Sequence, residues 1–205
     1  MTKTVLIIDD EQALNDLFVI GLTKYGFSVQ GVLGGAEALI ILQKFQPDII
    51  LLDIMMEPID GWETLSRIKA NSDYKNIPII MQTGKNLTYQ EAERYCFDIN
   101  YYLMKPITPK NCIEIIDEVL LEEKRIQGII SQIKGTHPKK DIEKIISLYK
   151  AIAITKKLQD LLDNRYNSQM MNSDENMYGA KEFYKFRQTL QQEFTQLNDH
   201  IGLII

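Results

Sequence analysis

The sequence is poor in cysteine and in long apolar runs. Its two cysteines, Cys96 and Cys112, cannot build a disulfide framework, and this fits a reducing compartment. The N-terminal apolar run covers only residues 5–8, which is too short for a signal-peptide core or a membrane span, and no later run comes near the required length. We therefore expect a cytoplasmic protein without a membrane partner.

An excess of positive charge is also missing. The net charge is −5, with 10 basic and 17 acidic side chains in residues 1–120 and 13 basic and 11 acidic ones in residues 121–205. Proteins that bind nucleic acid through their charge carry a basic patch, so charge does not suggest nucleic acid here. The length of 205 residues allows one full domain with a smaller addition, or two small domains.

What the sequence does contain is a regular alternation of short apolar runs and helical periodicity up to about residue 130. Continuous aliphatic runs are typical of strands buried on both faces. Five strand–helix alternations predict an α/β protein with a parallel sheet between helices. The predicted strands cover residues 5–8, 27–32, 48–53, 77–81 and 101–104, and the following helices begin near residues 13, 35, 62, 87 and 109.

The remaining residues predict helices alone. Gly-Thr-His-Pro at 135–138 interrupts the fifth helix, and residues 139–166 show apolar side chains at helical spacing. Farther on, apolar residues three or four positions apart predict an amphipathic helix with a narrow apolar seam. The seam consists of Phe183, Phe186, Leu190, Phe194, Leu197 and Ile201. It either packs on its own domain or forms a homodimer contact. We divide the chain at residue 130, with a helical extension at 131–205.

Polar side chains follow four of the predicted strands. Asp9 and Asp10 follow the first strand, Asp53 closes the third, and Thr83 and Lys105 come after the fourth and fifth. In a doubly wound parallel sheet, ligands bind at the carboxyl ends of the strands. The sequence therefore predicts one pocket with three carboxylates, a hydroxyl and an ammonium.

This combination is suited to phosphoryl transfer. Crowded carboxylates need a hard cation between them, and Mg²⁺ takes a few carboxylates while it keeps positions for water and phosphate oxygens. A carboxylate beside that ion can attack phosphorus and form an acyl phosphate, and no general base is needed because the ionised carboxylate is already the nucleophile. Singly, each residue could be a helix cap or a strand exit. Together, the five favour a site.

The segments LIIDDE, LLDIMM, IIMQTGK and YLMKP, in this order and spacing, resemble the receiver domain of two-component response regulators over about residues 3–125. The resemblance implies a flavodoxin-like fold with strand order 2-1-3-4-5. It also implies that Asp53 accepts a phosphoryl group from a sensor histidine kinase or a phosphotransfer protein. Asp9, Asp10, Asp53 and the backbone carbonyl of Met55 would bind Mg²⁺.

By the same resemblance, Thr83 and Lys105 would contact the phosphoryl group, and Tyr102 falls at the family's aromatic switch position. Thr83 would be drawn toward the phosphoryl oxygens and Tyr102 would turn inward. The implied role is signalling, not enzymatic turnover of a metabolite. One departure is Pro58, which comes one residue later than is usual in the family. The number of residues from Asp53 to Gly61 is the one usual in the family, so we expect the turn before Gly61 to form.

Three classes of output compete for residues 131–205: an interaction or dimerisation module for an unknown downstream protein, a DNA-binding region of a transcriptional regulator, and an enzyme. No helix-turn-helix pattern with a basic recognition helix is found there. Metal-ligand spacing, a nucleophile motif and a glycine-rich loop are missing as well. Elimination favours the interaction module, with the DNA-binding region as the alternative.

Overall fold

The computed structural model of the protein describes residues 2–168 and 174–202. Strands and helices alternate along the first part of the chain, as the periodicity predicts: β1 Thr4–Ile8, α1 Gln12–Lys24, β2 Ser28–Val32, α2 Gly35–Ile41, β3 Ile49–Leu52, α3 Gly61–Ala70, β4 Ile79–Thr83, α4 Tyr89–Tyr95, β5 Tyr101–Met104 and α5 Pro109–Ile133. Two further helices follow, α6 Lys139–Ser168 and α7 Asp174–Ile201. The strands form one parallel sheet in the order β2-β1-β3-β4-β5, which confirms the predicted flavodoxin-like fold with a helical C-terminal region.

The aliphatic runs form the centre of the sheet. All residues of β3 and β4, and all but the first of β1, are buried, because helices cover both faces of a doubly wound sheet. The edge strand β2 reads SVQGV and is only partly buried. Helix α1 packs Phe18 and Leu22 into a core cluster with Val5 and Ile49.

The register of the parallel strands aligns their carboxyl ends. Ile8 of β1 lies beside Leu52 of β3, and Thr83 of β4 lies beside Met104 of β5. The residues that come directly after β1, β3 and β5 therefore lie at the same edge of the sheet, where the sequence predicts the pocket.

The fourth strand differs from its predicted range by two residues. It was predicted at 77–81 and begins at Ile79 in the structure. Pro78 has no backbone N–H to donate to a neighbouring strand, and Ile77 donates its own N–H to the carbonyl of Tyr74 in the preceding turn. The apolar character of the segment predicted the strand correctly, but the hydrogen bonds determine where it begins.

The chain forms two compact units. The first comprises the residues up to Asn86 together with Asp98–Glu123, and the second comprises Leu87–Phe97 together with the residues from Lys124 onward. The first unit therefore contains the sheet, α1 to α3 and the beginning of α5. The second contains α4, the end of α5, α6 and α7. These units do not coincide with the sequence-based division at residue 130, because α5 runs through that position and α4 packs with α6 and α7.

The second unit has an apolar core of its own. Residues of α5, α6 and α7 form its cluster, which contains Ile126, Ile130, Ile133, Ile142, Ile145, Ile146, Tyr149, Phe194, Leu197 and Ile201. The seam residues Phe183 and Leu190 are also buried. The structure thus uses the seam for packing within this unit, which is one of the two alternatives that the sequence leaves open.

The break between α5 and α6 lies where it was predicted. Gly135 has a φ of +89°, a conformation that side chains with a Cβ rarely adopt, and the hydroxyl of Thr136 donates to the carbonyl of Ile133 at 2.7 Å. Helix α6 then starts directly after Pro138. Among the helices of residues 2–168 and 174–202, none is both long and apolar enough to cross a bilayer.

Candidate functional site

Three acidic side chains meet at the carboxyl edge of the sheet. Carboxylate oxygens of Asp9, Asp10 and Asp53 lie within 4.8 Å of one another. Asp9 and Asp53 are 3% and 6% exposed, whereas Asp10 is exposed and accepts a hydrogen bond from the Glu57 N–H at 3.3 Å. The group therefore combines two buried acids with one that faces the solvent.

Lys105 joins the two buried acids. Its Nζ donates to Asp9 Oδ2 at 2.7 Å and to Asp53 Oδ2 at 2.9 Å. Burial of the ammonium opposes its charge, but the hydrogen bonds and the negative charges of Asp9 and Asp53 outweigh this effect and raise the pKa of Lys105 above its ordinary value. One ammonium against three carboxylates leaves two negative charges uncompensated, and this charge balance fits a divalent cation.

Backbone groups fix the orientation of Asp53. Its Oδ1 accepts hydrogen bonds from the N–H groups of Ile54 at 2.7 Å and Met55 at 3.2 Å, while Oδ2 accepts from Lys105. The carboxylate is therefore held from both oxygens immediately after β3. The carbonyl of Met55 as a metal ligand stays a prediction, since only its N–H is among these contacts.

The turn after Asp53 forms despite the shifted proline. Gly61 donates its N–H to the carbonyl of Ile54 at 2.9 Å, and the Glu57–Pro58 peptide is cis. A Cβ at position 61 would overlap the carbonyl oxygen of Asp53, so glycine is required there. The next helix, α3, begins with Asp60 as its N-cap, whose side chain accepts from the Glu63 N–H at 2.8 Å.

Asn15 is a site residue that our sequence reasoning missed. Its Nδ2 donates to the backbone carbonyls of Asp9 at 3.2 Å and Val32 at 2.8 Å, so it anchors the start of the acidic loop to β2. Asp9 in turn accepts a hydrogen bond from the Glu11 N–H at 2.9 Å. The sequence offered one indication of this role: Asn15 lies three residues before Phe18, on the face of α1 that is buried in the structure.

The two predicted switch residues meet at the backbone of Lys85. Thr83 is fully buried, and its Oγ1 accepts a hydrogen bond from the Lys85 N–H at 3.1 Å. Tyr102 is 3% exposed and donates its hydroxyl to the Lys85 carbonyl at 2.8 Å. Tyr102 thus lies inward in this structure, and its role as a switch stays a prediction.

Comparison with known proteins agrees with this geometry. The family model described as the response regulator receiver domain matches residues 5–117, which is more than half of the chain. The DNA-binding dual master transcriptional regulator RpaA of Synechocystis sp. is 29% identical over 122 residues, which are 60% of this chain and 51% of RpaA. The chain therefore spans about half the length of RpaA.

Solved structures show the same fold. The chemotaxis response regulator CheY4 of Vibrio cholerae is 27% identical, with a TM-score of 0.54, over 58% of this chain and 99% of CheY4. The response regulator TrrA of Thermotoga maritima, solved in complex with Mg²⁺ and BeF, is 24% identical, with a TM-score of 0.51, over 58% of this chain and 99% of TrrA. At this level of identity, the similarity to TrrA shows a shared fold and nothing further.

Proposed function

Because the chain belongs to the response regulator receiver family, we propose that it is a signalling switch that is phosphorylated on Asp53. The observation that carries this proposal is the environment of that carboxylate. It is buried, oriented by two backbone N–H groups and paired with Lys105, and two further acids lie within 4.8 Å. An ionised carboxylate held in this way is a ready nucleophile for phosphorus.

The acidic group fits Mg²⁺ as the cofactor. Asp9, Asp10, Asp53 and the carbonyl of Met55 are the ligands that we propose, and when bound, the ion would neutralise charge on the phosphoryl oxygens. Lys105 supplies a second positive charge at the same place, since its raised pKa keeps it protonated at neutral pH. The Thr83 hydroxyl can donate to a phosphoryl oxygen while it still accepts from the Lys85 N–H.

The transfer step needs a phosphohistidine on a partner. An Asp53 oxygen forms a bond to phosphorus as the phosphorus–nitrogen bond of the donor breaks, and the electron pair of that bond stays on the donor's imidazole. A sensor histidine kinase or a phosphotransfer protein is the donor that we propose, in the cytoplasm. The chain acts on its own phosphoryl group only and is not an enzyme for a metabolite.

A variant at the acceptor tests this function. Incubation with Mg²⁺ and acetyl phosphate is expected to add one phosphoryl group per chain, read by intact mass spectrometry and removed by hydroxylamine, which cleaves acyl phosphates. Asp53→Asn should abolish this labelling, because an amide oxygen is a poor nucleophile. Asp60→Asn, a matched change at the N-cap of α3, should leave it in place. Stoichiometric labelling of Asp53→Asn would assign the acceptor to another residue.

DNA binding by the helical extension is the alternative output. It is favoured by the name of RpaA, which is a DNA-binding transcriptional regulator, although the match covers only about half of that protein. The charge balance weighs against it, because residues 121–205 carry only two more basic than acidic side chains. We therefore favour a protein partner as the target of the switch.

A further inference from the structure

The core cluster between the sheet and helices α1 and α5 shows which strand residues share one face of the sheet. It contains one residue at the same level from each of β1, β3, β4 and β5, namely Ile7, Leu51, Ile80 and Leu103. Because side chains alternate between the two faces of a sheet, the residues two positions farther on belong to the same face at its carboxyl edge. These residues are Asp9, Asp53, Gln82 and Lys105. Gln82 therefore belongs by position to the layer of the candidate site.

Gln82 lies on the strand that Lys105 has to cross. In the strand order, β4 separates β5 from β3. Neighbouring strands are about 4.8 Å apart, so β5 and β3 are separated by roughly 10 Å. The Lys105 Nζ nevertheless donates to Asp53 Oδ2 at 2.9 Å. The lysine side chain therefore extends across β4, on the face to which Gln82 belongs.

The amide oxygen of Gln82 is buried and has no donor. The residue is 3% exposed, and within residues 2–168 and 174–202 no donor lies within hydrogen-bond distance of its Oε1. A buried acceptor of this kind lowers the stability of the fold, because it has lost its bond to water without gaining another. Thr83, the next residue, belongs to the opposite face of β4 by the same alternation. An apolar side chain of equal size would therefore suit the unphosphorylated protein better than glutamine does.

We propose that Gln82 is a positioning residue for Lys105, and that its Oε1 accepts an N–H of the Lys105 ammonium once Asp53 is phosphorylated. The proposal rests on the function proposed above. Formation of the acyl phosphate turns the Asp53 carboxylate into an uncharged anhydride linkage, which is a weaker acceptor than the charged group. Lys105 then turns from Asp53 to a phosphoryl oxygen and keeps its bond to Asp9. The third N–H of the ammonium is left for Gln82.

A neutral acceptor suits this position. The site already contains three carboxylates against one ammonium. A further negative charge would repel the phosphoryl group that Asp53 receives. An amide oxygen gives Lys105 a third acceptor without adding charge, so the identity of residue 82 favours the loaded state of the site.

Gln82→Met tests the proposal, because methionine keeps the length of the side chain and removes the acceptor. The midpoint of urea unfolding of the unloaded protein should rise, since a buried oxygen without a donor is removed. Binding of beryllofluoride, a phosphoryl mimic, should weaken on the order of ten-fold in saturating Mg²⁺, as the loss of one hydrogen bond to a charged group allows. A ¹⁹F NMR titration measures this. Mg²⁺ affinity without the mimic, measured by calorimetry, should stay unchanged, because Gln82 is not among the proposed ligands.

Gln43→Met, at an exposed position after α2, is the matched control and should alter none of the three readings. An unfolding midpoint of Gln82→Met at or below that of the wild type would overturn the proposal, because the amide would then have a partner without the phosphoryl group. Equal mimic affinity in the two variants would overturn it as well, and a loss of Mg²⁺ affinity would assign Gln82 to the metal site instead. A mimic that does not bind the wild type contradicts the proposed function, and this proposal with it.

The ¹⁵Nζ NMR signal of Lys105 identifies the donor. Lys105→Met assigns this signal as the lysine resonance that disappears. Gln82→Met should shift the signal in protein saturated with beryllofluoride, because the ammonium loses an acceptor there. In the unloaded protein the signal should keep its position, since Gln82 Oε1 has no donor in that state. An unshifted signal in the loaded variant would show that Lys105 does not donate to Gln82, and the proposal would be wrong.

Discussion

Single side chains set the charge balance at the carboxyl edge of the sheet. Lys105 donates to Asp9 and Asp53, and both acids are almost fully buried. Without that ammonium, three carboxylates would face one another with no positive charge bonded to them. A divalent cation and Lys105 therefore serve the same electrostatic purpose, and the stability of the fold should depend on both.

Replacement of Lys105 tests this balance. Lys105→Met should lower the free energy of unfolding by roughly 2 kcal/mol in the presence of EDTA, because the buried Oδ2 atoms of Asp9 and Asp53 lose their ammonium partner. Mg²⁺ should restore more stability to this variant than it adds to the wild type, since the ion no longer competes with the ammonium. Urea unfolding, followed by circular dichroism with EDTA or with Mg²⁺, measures both effects.

Lys44→Met serves as the control for that experiment, because Lys44 is exposed and lies outside the site. It should change stability little, and equally with and without Mg²⁺. If Lys105→Met responds to Mg²⁺ no more than Lys44→Met does, the ion and the ammonium do not act on the same acids.

At the scale of elements, β1 is joined to the segment before β3 by Thr4 and Asp48. Asp48 Oδ2 accepts from the Thr4 N–H at 2.8 Å and from the Thr4 hydroxyl at 3.0 Å. Partial burial opposes the charge of Asp48, but these hydrogen bonds and the positive charge of Lys3 outweigh it and hold the pKa of Asp48 below its usual 3.8. The pair thus supports the register of two central strands.

The lowered pKa predicts a pH-dependent effect of Asp48→Asn. A carboxylate with a depressed pKa in the folded state contributes stability above its unfolded pKa, and this contribution disappears as the pH falls through the folded value. Asp48→Asn should therefore lower the free energy of unfolding by up to about 1 kcal/mol at pH 7. The difference in this free energy between the variant and the wild type should shrink as the pH falls below 3.8. Urea unfolding across this pH range measures the difference.

Asp117→Asn, at an exposed position of α5, is the matched control for Asp48. Its effect should stay within a few tenths of a kcal/mol at every pH. A cost of Asp48→Asn that persists unchanged at low pH would show that shape, and not charge, accounts for the role of Asp48.

The whole molecule carries a net charge of −5. Its backbone passes three times from one compact unit to the other. The net charge bears on whether the output of the switch is DNA binding or binding of a protein partner. We predict that the full-length protein is not retained on nonspecific double-stranded DNA at low salt, because too few basic side chains are available to displace counterions from phosphates. Column retention beside a basic control protein measures this. Retention that weakens steeply with salt would instead support a DNA-binding extension.

The pattern of apolar and polar residues was sufficient to predict the sheet and the acidic site at its carboxyl edge. Continuous aliphatic runs are typical of strands that are covered on both faces, so they predicted the parallel sheet. The sheet in turn predicted the carboxyl edge at which Asp9, Asp53, Thr83 and Lys105 lie. Asp9, Asp53 and Lys105 come directly after strand ends, so their approach follows from the topology of the sheet. Asn15 was not predicted, because its role depends on hydrogen bonds to the backbone carbonyls of Asp9 and Val32, which come together only when the chain folds.

The surfaces that cover α4 and the seam of α7 could be identified only in the folded protein. Periodicity shows that a helix has an apolar face, but it does not show which surface that face meets. The hydroxyl of Tyr89 in α4 donates to Asp163 of α6, 74 positions farther along the chain, and neither residue lies at a strand end where topology would bring the two together. Their contact depends on how three helices pack in three dimensions, and packing of this kind leaves no regular spacing in the sequence.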